Sequence, residues 1–175
     1  MNNKKEKNLH PVVKLARDTV ENFIRHGNIT RPENLSDDMK ERAGVFVSIK
    51  KHGNLRGCIG TFEPTQDNIA EEIVYNAINS ATQDPRFTRI NTSELDDLEY
   101  SVDILTPPKP VTDISKLNPK KHGIIVQSGW QRGLLLPDLE GVDTLEQQIE
   151  ICRMKAGIPH DVPVELFSFE VRRYK

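Results

Sequence analysis

The fold is decided by residues 55–61, Leu-Arg-Gly-Cys-Ile-Gly-Thr, together with the run Val-Phe-Val-Ser-Ile-Lys at 45–50. The β-branched residues in 45–50 alternate with their neighbours, which predicts a half-buried strand. Lys-His-Gly-Asn at 51–54 supplies turn residues between the two runs. The sequence therefore predicts a β-hairpin, with the glycine-containing run 55–61 as its second strand.

Helical and strand periods recur along the rest of the chain. Three amphipathic helices are predicted: one from Pro11 to Gly27, one from Asn68 onward with Thr65 and Asp67 as candidate caps, and one opened by the capping box of Thr144 and Gln147. Further strands are predicted at 100–105, 124–127, 134–136 and 167–172, with Pro107, Pro108 and Pro110 preventing pairing after the first of them. Hairpins predominate over strand-helix-strand units, so the predicted class is α+β with a largely antiparallel sheet and flanking helices.

Size and charge exclude several classes of protein. The 175 residues suit one domain, 1–175, made of two lobes on one chain, with residues 1–10 expected to be frayed. Lys and Arg number 24 against 26 Asp and Glu, so we expect no general nucleic-acid binding. No apolar run approaches the ~20 residues that cross a bilayer, and the polar start Met1 to Lys7 is not a signal peptide. We expect a cytoplasmic protein without membrane contact.

The run 55–61 also contains the strongest candidate for chemistry. A strand period of two places Arg56, Cys58 and Gly60 on one face. A guanidinium beside a thiol favours the nucleophilic thiolate, so Cys58 is a candidate catalytic residue and Arg56 a candidate ligand-binding residue. Gly57 and Gly60 inside a strand indicate a bulge or the close approach of a ligand or another backbone. The alternative is that Cys58 is a small buried apolar residue.

Two further motifs offer groups for such a site. Asp-Pro-Arg-Phe at 84–87 either holds Arg86 as an anion clamp on a proline-stiffened loop, or ends a helix with Asp84 as cap and Phe87 in the core. His122 is either a base or a polar residue at the start of a strand.

No metal or cofactor site is predicted. The cysteines are at positions 58 and 152, which is 94 apart, and the histidine spacing defines no ligand set. Cys152 lies on an apolar helix face and is expected in the core. The acidic stretch at 94–99 is interpreted as a solvated face.

Seven blocks in sequence order resemble the AMMECR domain family, whose prokaryotic members are called AmmeMemoRadiSam system protein A. They extend over nearly the whole chain, from about Val12 to Arg172, and the chain departs from the family pattern at Asp138–Gly141. The blocks are Gly44–Val47, Leu55–Gly60, Asp84–Phe87, Ser101–Leu105, His122–Gly123, Gly133–Pro137 and Lys155–Gly157.

This resemblance implies a compact α+β fold of two unequal lobes around a cleft, with Arg56–Gly60 near the cleft. It also implies that the protein works with a Memo-type protein and a radical-SAM protein, to which any metal or iron-sulfur cluster would belong.

Two hypotheses about function follow. In one, the domain is an enzyme or enzyme component that binds a small anionic or thiol-reactive ligand, with Cys58 as nucleophile, Arg56 and Arg86 as anion holders and His122 as base. In the other, it is a non-catalytic module that binds a partner or carries an intermediate.

Overall fold

The computed structural model describes residues 9–33 and 35–175. The chain divides into two compact units. Unit 1 extends to Ile104 and also contains Arg172–Lys175, and unit 2 is Leu105–Val171. Residues 1–8 of the predicted frayed start lie outside the described residues. The single domain with two lobes around a cleft stays a prediction.

Helices and strands are mixed along the chain without a regular strand-helix-strand repeat, and the predicted α+β class is confirmed. In chain order the elements are α1 (Pro11–His26), α2 (Asp37–Lys40), β1 (Val45–Lys51), β2 (Asn54–Thr61), α3 (Ile69–Thr82), a 3₁₀ helix (Thr92–Asp97), β3 (Leu98–Leu105), β4 (Lys109–Pro110), a second 3₁₀ helix (Ile114–Lys116), β5 (Gly123–Ser128), β6 (Gln131–Leu135), α4 (Leu145–Ala156), β7 (Glu165–Phe169) and β8 (Val171–Tyr174).

The sheet of unit 1 has the strand order β2-β1-β3-β8, so the predicted hairpin forms one side of it. Strand β1 pairs antiparallel with both β2 and β3. Its residues Val45, Val47 and Ile49 are fully buried and pack with residues of α1 and α3, such as Val12 and Ile73. Because side chains alternate along a strand, Phe46, Ser48 and Lys50 lie on the opposite face of the sheet.

The sheet of unit 2 has the strand order β4-β7-β5-β6. Ile124 and Val126 of β5 pack with Cys152 of α4 and with Ile158 in a separate core. Cys152 is fully buried, which confirms the prediction that it is a core residue.

Side-chain caps fix the N-terminal ends of α3 and α4. The capping box of Thr144 and Gln147 is present at the start of α4, as predicted. At α3 the predicted caps are wrong: the Asn68 side chain accepts a hydrogen bond from the Glu71 N–H, and neither Thr65 nor Asp67 is the cap. In the described part of the chain, no helix has the length and apolar character needed to span a membrane.

The single terminal strand predicted at 167–172 is two strands. Strand β7 ends at Phe169 and belongs to the sheet of unit 2, whereas β8 begins at Val171 and belongs to the sheet of unit 1. At Glu170 the backbone N–H donates to the Thr106 hydroxyl instead of to a strand. Apolar alternation continues through this switch, because a period of two does not depend on which sheet the strand joins.

The prediction that the prolines prevent further pairing is also wrong. Lys109 and Pro110 form β4, which pairs with Ser168 and Phe167 of β7. Strand β4 is at the edge of its sheet, and an edge strand tolerates a residue without an amide hydrogen.

Gly57 lets α3 lie directly on β2. A Cβ at this position would overlap the carbonyl oxygen of Ser80 in α3. The Ser80 hydroxyl donates to the carbonyl oxygen of Val47 at 2.8 Å and accepts from the N–H of Ile59 at 2.8 Å. The glycines in this strand predict the close approach of a ligand or another backbone. At Gly57 it is the backbone of α3 that approaches. At Gly60 the space in front of the glycine is filled by the ring of Phe46.

We predict that Gly57→Ala destabilises the protein more than Gly60→Ala. The added methyl group at 57 meets backbone, which cannot move without displacing α3, whereas the Phe46 side chain at 60 can change its rotamer. Overpacking of this kind costs about 1–3 kcal/mol, and the smaller cost belongs to Gly60→Ala. Urea unfolding of both variants measures the difference. Equal stabilities would contradict the assigned contact between Gly57 and Ser80.

Candidate functional site

A β-bulge changes the predicted face of the hairpin. Ile49 pairs with Gly57 and Lys50 pairs with Leu55, so Arg56 is the extra residue between two paired positions. The period of two is broken there. The predicted placement of Arg56 beside the thiol of Cys58 is therefore wrong.

Arg56 instead forms a structural ion pair. Its Nε and Nη2 donate to the two carboxylate oxygens of Glu94 at 2.9 and 3.0 Å, and its Nη1 donates to the carbonyl oxygen of Thr88 at 2.7 Å. These hydrogen bonds lower the pKa of Glu94 to about 2. Glu94 is buried, so the interpretation of 94–99 as a solvated face is wrong for this residue.

Cys58 is partly buried on the sheet of unit 1. The hydroxyl of Ser48, its partner across the hairpin, donates to the sulfur at 3.1 Å. Burial raises the pKa of the Cys58 thiol above its ordinary value, and the Ser48 hydrogen bond and the charge of Arg86 only partly offset this. The thiol is thus protonated at neutral pH, contrary to the expectation of a thiolate.

Asp84 closes the outer edge of β2 at Cys58. One carboxylate oxygen accepts from the Cys58 backbone N–H at 2.9 Å and from Arg86 Nη2 at 2.7 Å. The other accepts from the N–H of Arg86 at 3.1 Å and from its Nε at 2.9 Å. The Arg86 hydrogen bonds lower the pKa of Asp84 to about 2, although burial raises it. Asp84 therefore binds a strand edge, and the predicted role as a helix cap is wrong.

Arg86 is held by this carboxylate with part of its guanidinium exposed. Its side chain is 54% exposed, against 2% for that of Asp84. Nη2 also donates to the carbonyl oxygen of Cys58 at 3.3 Å, and the guanidinium carbon lies 5.4 Å from the centre of the Phe87 ring. Phe87 is half-buried beside this loop. Asp84, Arg86 and Cys58 are therefore brought together at one edge of the sheet.

His122 belongs to unit 2, where it precedes β5. Its Nδ1 accepts from the Asn118 N–H at 2.9 Å, so a neutral imidazole here has its proton on Nε2. Nε2 lies 3.9 Å from a carboxylate oxygen of Glu170. His122 is thus bonded within its own loop, and its role as a base stays a prediction.

Unit 2 also has a surface cavity with a volume of about 470 Å³. Gly141 lines it. Acidic side chains of α4 and His160 complete much of the lining, and His160 Nε2 lies 3.2 Å from a Glu150 oxygen.

No group of three or more His, Cys, Asp or Glu side chains within residues 9–33 and 35–175 is arranged to hold a metal ion. Sequence reasoning missed the bond between Asp84 and the backbone of Cys58. The sequence Asp-Pro-Arg indicates only the local part of this arrangement, because an Asp two residues before an Arg can accept from that residue's backbone and side chain together.

Comparison with known proteins gives consistent matches over almost the whole chain. A family model described as AMMECR1 matches residues 13–175. A protein of Thermotoga maritima is 55% identical over 170 residues, which is 95% of this chain and 98% of that protein. A protein of Clostridium acetobutylicum is 45% identical over 98% of this chain, but this chain spans only 37% of that protein's length. The crystal structure of the uncharacterised protein PH0010 from Pyrococcus horikoshii has a TM-score of 0.82 and 31% identity, covering 93% of this chain and 88% of that one.

We predict that Asp84→Asn lowers stability at neutral pH by about 2 kcal/mol. The folded pKa of Asp84 is lowered, so its stabilisation is complete above the ordinary carboxyl pKa and is lost as pH falls toward about 2. The difference in unfolding free energy between wild type and variant should therefore shrink between about pH 4 and pH 2. Urea unfolding across this range measures it. The exposed Asp67, changed to Asn, is the control for the loss of one aspartate charge. A loss for Asp84→Asn that stays constant with pH would contradict the assignment.

Proposed function

The chain belongs to the AMMECR1 family, and from that premise we propose that it is a non-catalytic binding component that holds a small anionic group beside Cys58, at Arg86. The observation that supports this most is the geometry at Cys58: its sulfur accepts the Ser48 hydroxyl, and Arg56, the predicted activating cation, is bonded to Glu94. Burial also raises the pKa of the thiol. The geometry favours the second of the two sequence-based hypotheses. Of the two predicted anion holders, Arg56 is bonded to Glu94, and Arg86 keeps an exposed guanidinium.

A nucleophilic cysteine needs a base that can take its proton. The carboxylates that act on the Cys58 thiol are Asp84 and Asp103, and both raise its pKa. Each is already bonded to an arginine, Asp84 to Arg86 and Asp103 to Arg173 at 2.8 Å through both oxygens. A carboxylate whose pKa is about 2, as for Asp84, is a poor proton acceptor at neutral pH.

The hydrogen bond of His122 argues against its predicted role as a base. A general base must offer a free lone pair. The Nδ1 lone pair of His122 accepts the Asn118 N–H, and Nε2 then has the proton. The bond to Asn118 would have to break before the imidazole could accept a proton at Nδ1.

The sheet face around Cys58 suits binding. Cys58, Ser48 and Ser101 are paired across β2, β1 and β3, so small side chains form a row across the strands. All three are half-buried. The exposed guanidinium of Arg86 lies at the Cys58 end of this row, which gives a shallow surface with a cation at one end.

A binding component is expected to work with other polypeptides. The Clostridium acetobutylicum relative contains this domain within a much longer protein. We therefore propose that the chain acts together with partner proteins, such as the Memo-type and radical-SAM proteins that the family resemblance implies, in the cytoplasm. The anionic group would belong to a small ligand that the partners also use.

We predict that iodoacetamide labels Cys58 more slowly than free cysteine near neutral pH, because burial raises its pKa and leaves less thiolate. Labelling should accelerate only at alkaline pH. Arg56→Gln should leave the rate unchanged, because the Arg56 guanidinium pairs with Glu94 and not with the thiol. Mass spectrometry of the two cysteine peptides measures both rates.

Two controls make this measurement decisive. The fully buried Cys152 should react more slowly still, since burial raises its pKa to about 12. Circular dichroism must show that Arg56→Gln is folded, because Glu94 loses its main partner. The proposal fails if Cys58 reacts faster than free cysteine and this reactivity depends on Arg56. That result would restore the nucleophile hypothesis.

A further inference from the structure

We propose that the anionic group held at Arg86 is a single carboxylate attached to an apolar body, and that Asp84 positions the guanidinium to receive it. This inference rests on the proposed function and names the class of its ligand. It is based on the N–H donors of Arg86 that have no partner in the described part of the chain, on the charges around its guanidinium, and on nearby aromatic rings.

The hydrogen bonds of Arg86 determine what it can still offer. Of the five N–H groups of a guanidinium, Nε–H and one Nη2 hydrogen point to Asp84, and the second Nη2 hydrogen points to the Cys58 carbonyl oxygen. The two hydrogens of Nη1 remain. Bidentate recognition of a phosphate or carboxylate needs N–H donors on two different nitrogens of the guanidinium. Each such pair of donors includes Nε or Nη2, and in Arg86 the hydrogens of these two nitrogens are already used. Arg86 is therefore suited to one oxygen atom of a ligand.

The local charge disfavours a multiply charged ligand. The positive charge of Arg86 is balanced by Asp84, which is ionised at neutral pH because its pKa is about 2. The next pair on the same side of the sheet, Asp103 and Arg173, is also neutral overall. A phosphate dianion would enter a region with no net positive charge, whereas a monoanion that accepts one directed N–H bond from Nη1 loses less on leaving water.

The surroundings of Arg86 are apolar enough for the rest of such a ligand. The guanidinium lies over the edge of the half-buried Phe87, 5.4 Å from the ring centre. On the sheet face, Phe46 covers Gly60 in the row next to Cys58 and Ser48. Aromatic carbon thus lies beside the guanidinium at Phe87, and a second ring lies over Gly60, two residues from Cys58 in the same strand.

Asp84 acts on the ligand only through Arg86. Its side chain is 2% exposed, and both oxygens are occupied by Arg86 and the Cys58 N–H. It is a positioning residue. A lysine at position 86 would keep the positive charge but could neither satisfy both Asp84 oxygens in the same plane nor present Nη1. Arg86→Lys therefore keeps the positive charge and removes the directed N–H donors, so it shows which of the two the ligand needs.

The test is an NMR titration of the full-length protein with sodium 3-phenylpropionate, its neutral amide 3-phenylpropionamide, and inorganic phosphate. The Cys58 backbone N–H and the Arg86 Nε–H report the site, because both are bonded to Asp84. We expect saturable shifts of these two signals with 3-phenylpropionate, and binding weaker by about tenfold or more with phosphate and with the amide.

Variants locate the binding. Arg86→Gln and Arg86→Lys should each weaken 3-phenylpropionate binding by about tenfold or more. Arg89→Gln is the matched control and should leave it unchanged, since Arg89 is on the same loop but lies over the Phe23 ring, 5.6 Å from its centre. If Arg86→Gln fails to fold, Arg86→Lys and the ligand series still decide the question.

The outcomes separate the two proposals. Saturable binding of phosphate but not of 3-phenylpropionate, lost in Arg86→Lys, would overturn the carboxylate inference and leave the anion site standing. Shifts by 3-phenylpropionate that survive Arg86→Gln would also overturn it, because binding would then be elsewhere. Failure of both anions to shift either signal would overturn the anion site itself.

Discussion

The structure of unit 1 depends on one buried carboxylate, that of Asp84, at the free edge of its sheet. Strand β2 is the outermost strand beside β1, so the backbone groups of Cys58 that face away from β1 have no strand partner. Asp84 accepts the Cys58 N–H and, through Arg86, supplies a donor for the Cys58 carbonyl oxygen. An unpaired edge is prone to pair with other chains, and an ionised side chain bonded to it prevents this. The same contact holds the 84–87 loop and aims Arg86.

The state of Cys58 follows from this arrangement. Glycine at 57 brings α3 onto one face of β2, and Phe46 covers Gly60 on the other, so the strand is covered on both faces at its glycines. The thiol between them loses water and stays protonated. The cation that the sequence placed beside it, Arg56, lies in a bulge and binds Glu94. The unusual composition of residues 55–61 is thus explained by packing and edge closure, which need small residues and defined backbone donors more than a reactive sulfur.

Local sequence patterns predict most of the helices and strands. They do not predict the strand register or the hydrogen-bond partners that are distant in sequence. The hairpin, the capping box of Thr144 and the burial of Cys152 depend on residues near each other in sequence, where turn and cap chemistry is direct. The bulge at Arg56 depends on register between two strands, which alternation does not reveal. The switch of sheets at Glu170 preserves the apolar alternation on both sides. The sequence predicts a local helix cap as one role for Asp84. It does not reveal the actual partner, the Cys58 N–H, because that group lies 26 residues earlier in the chain.

The direct test of this account is the titration of Asp84 by carbonyl-detected ¹³C NMR, followed together with the amide proton of Cys58. The account predicts that the Asp84 carboxyl titrates with a pKa of about 2 and that the Cys58 amide signal shifts with the same midpoint, because the two groups share a hydrogen bond. An Asp84 carboxyl that titrates near 3.8, the ordinary aspartate value, with no response at Cys58, would contradict the account.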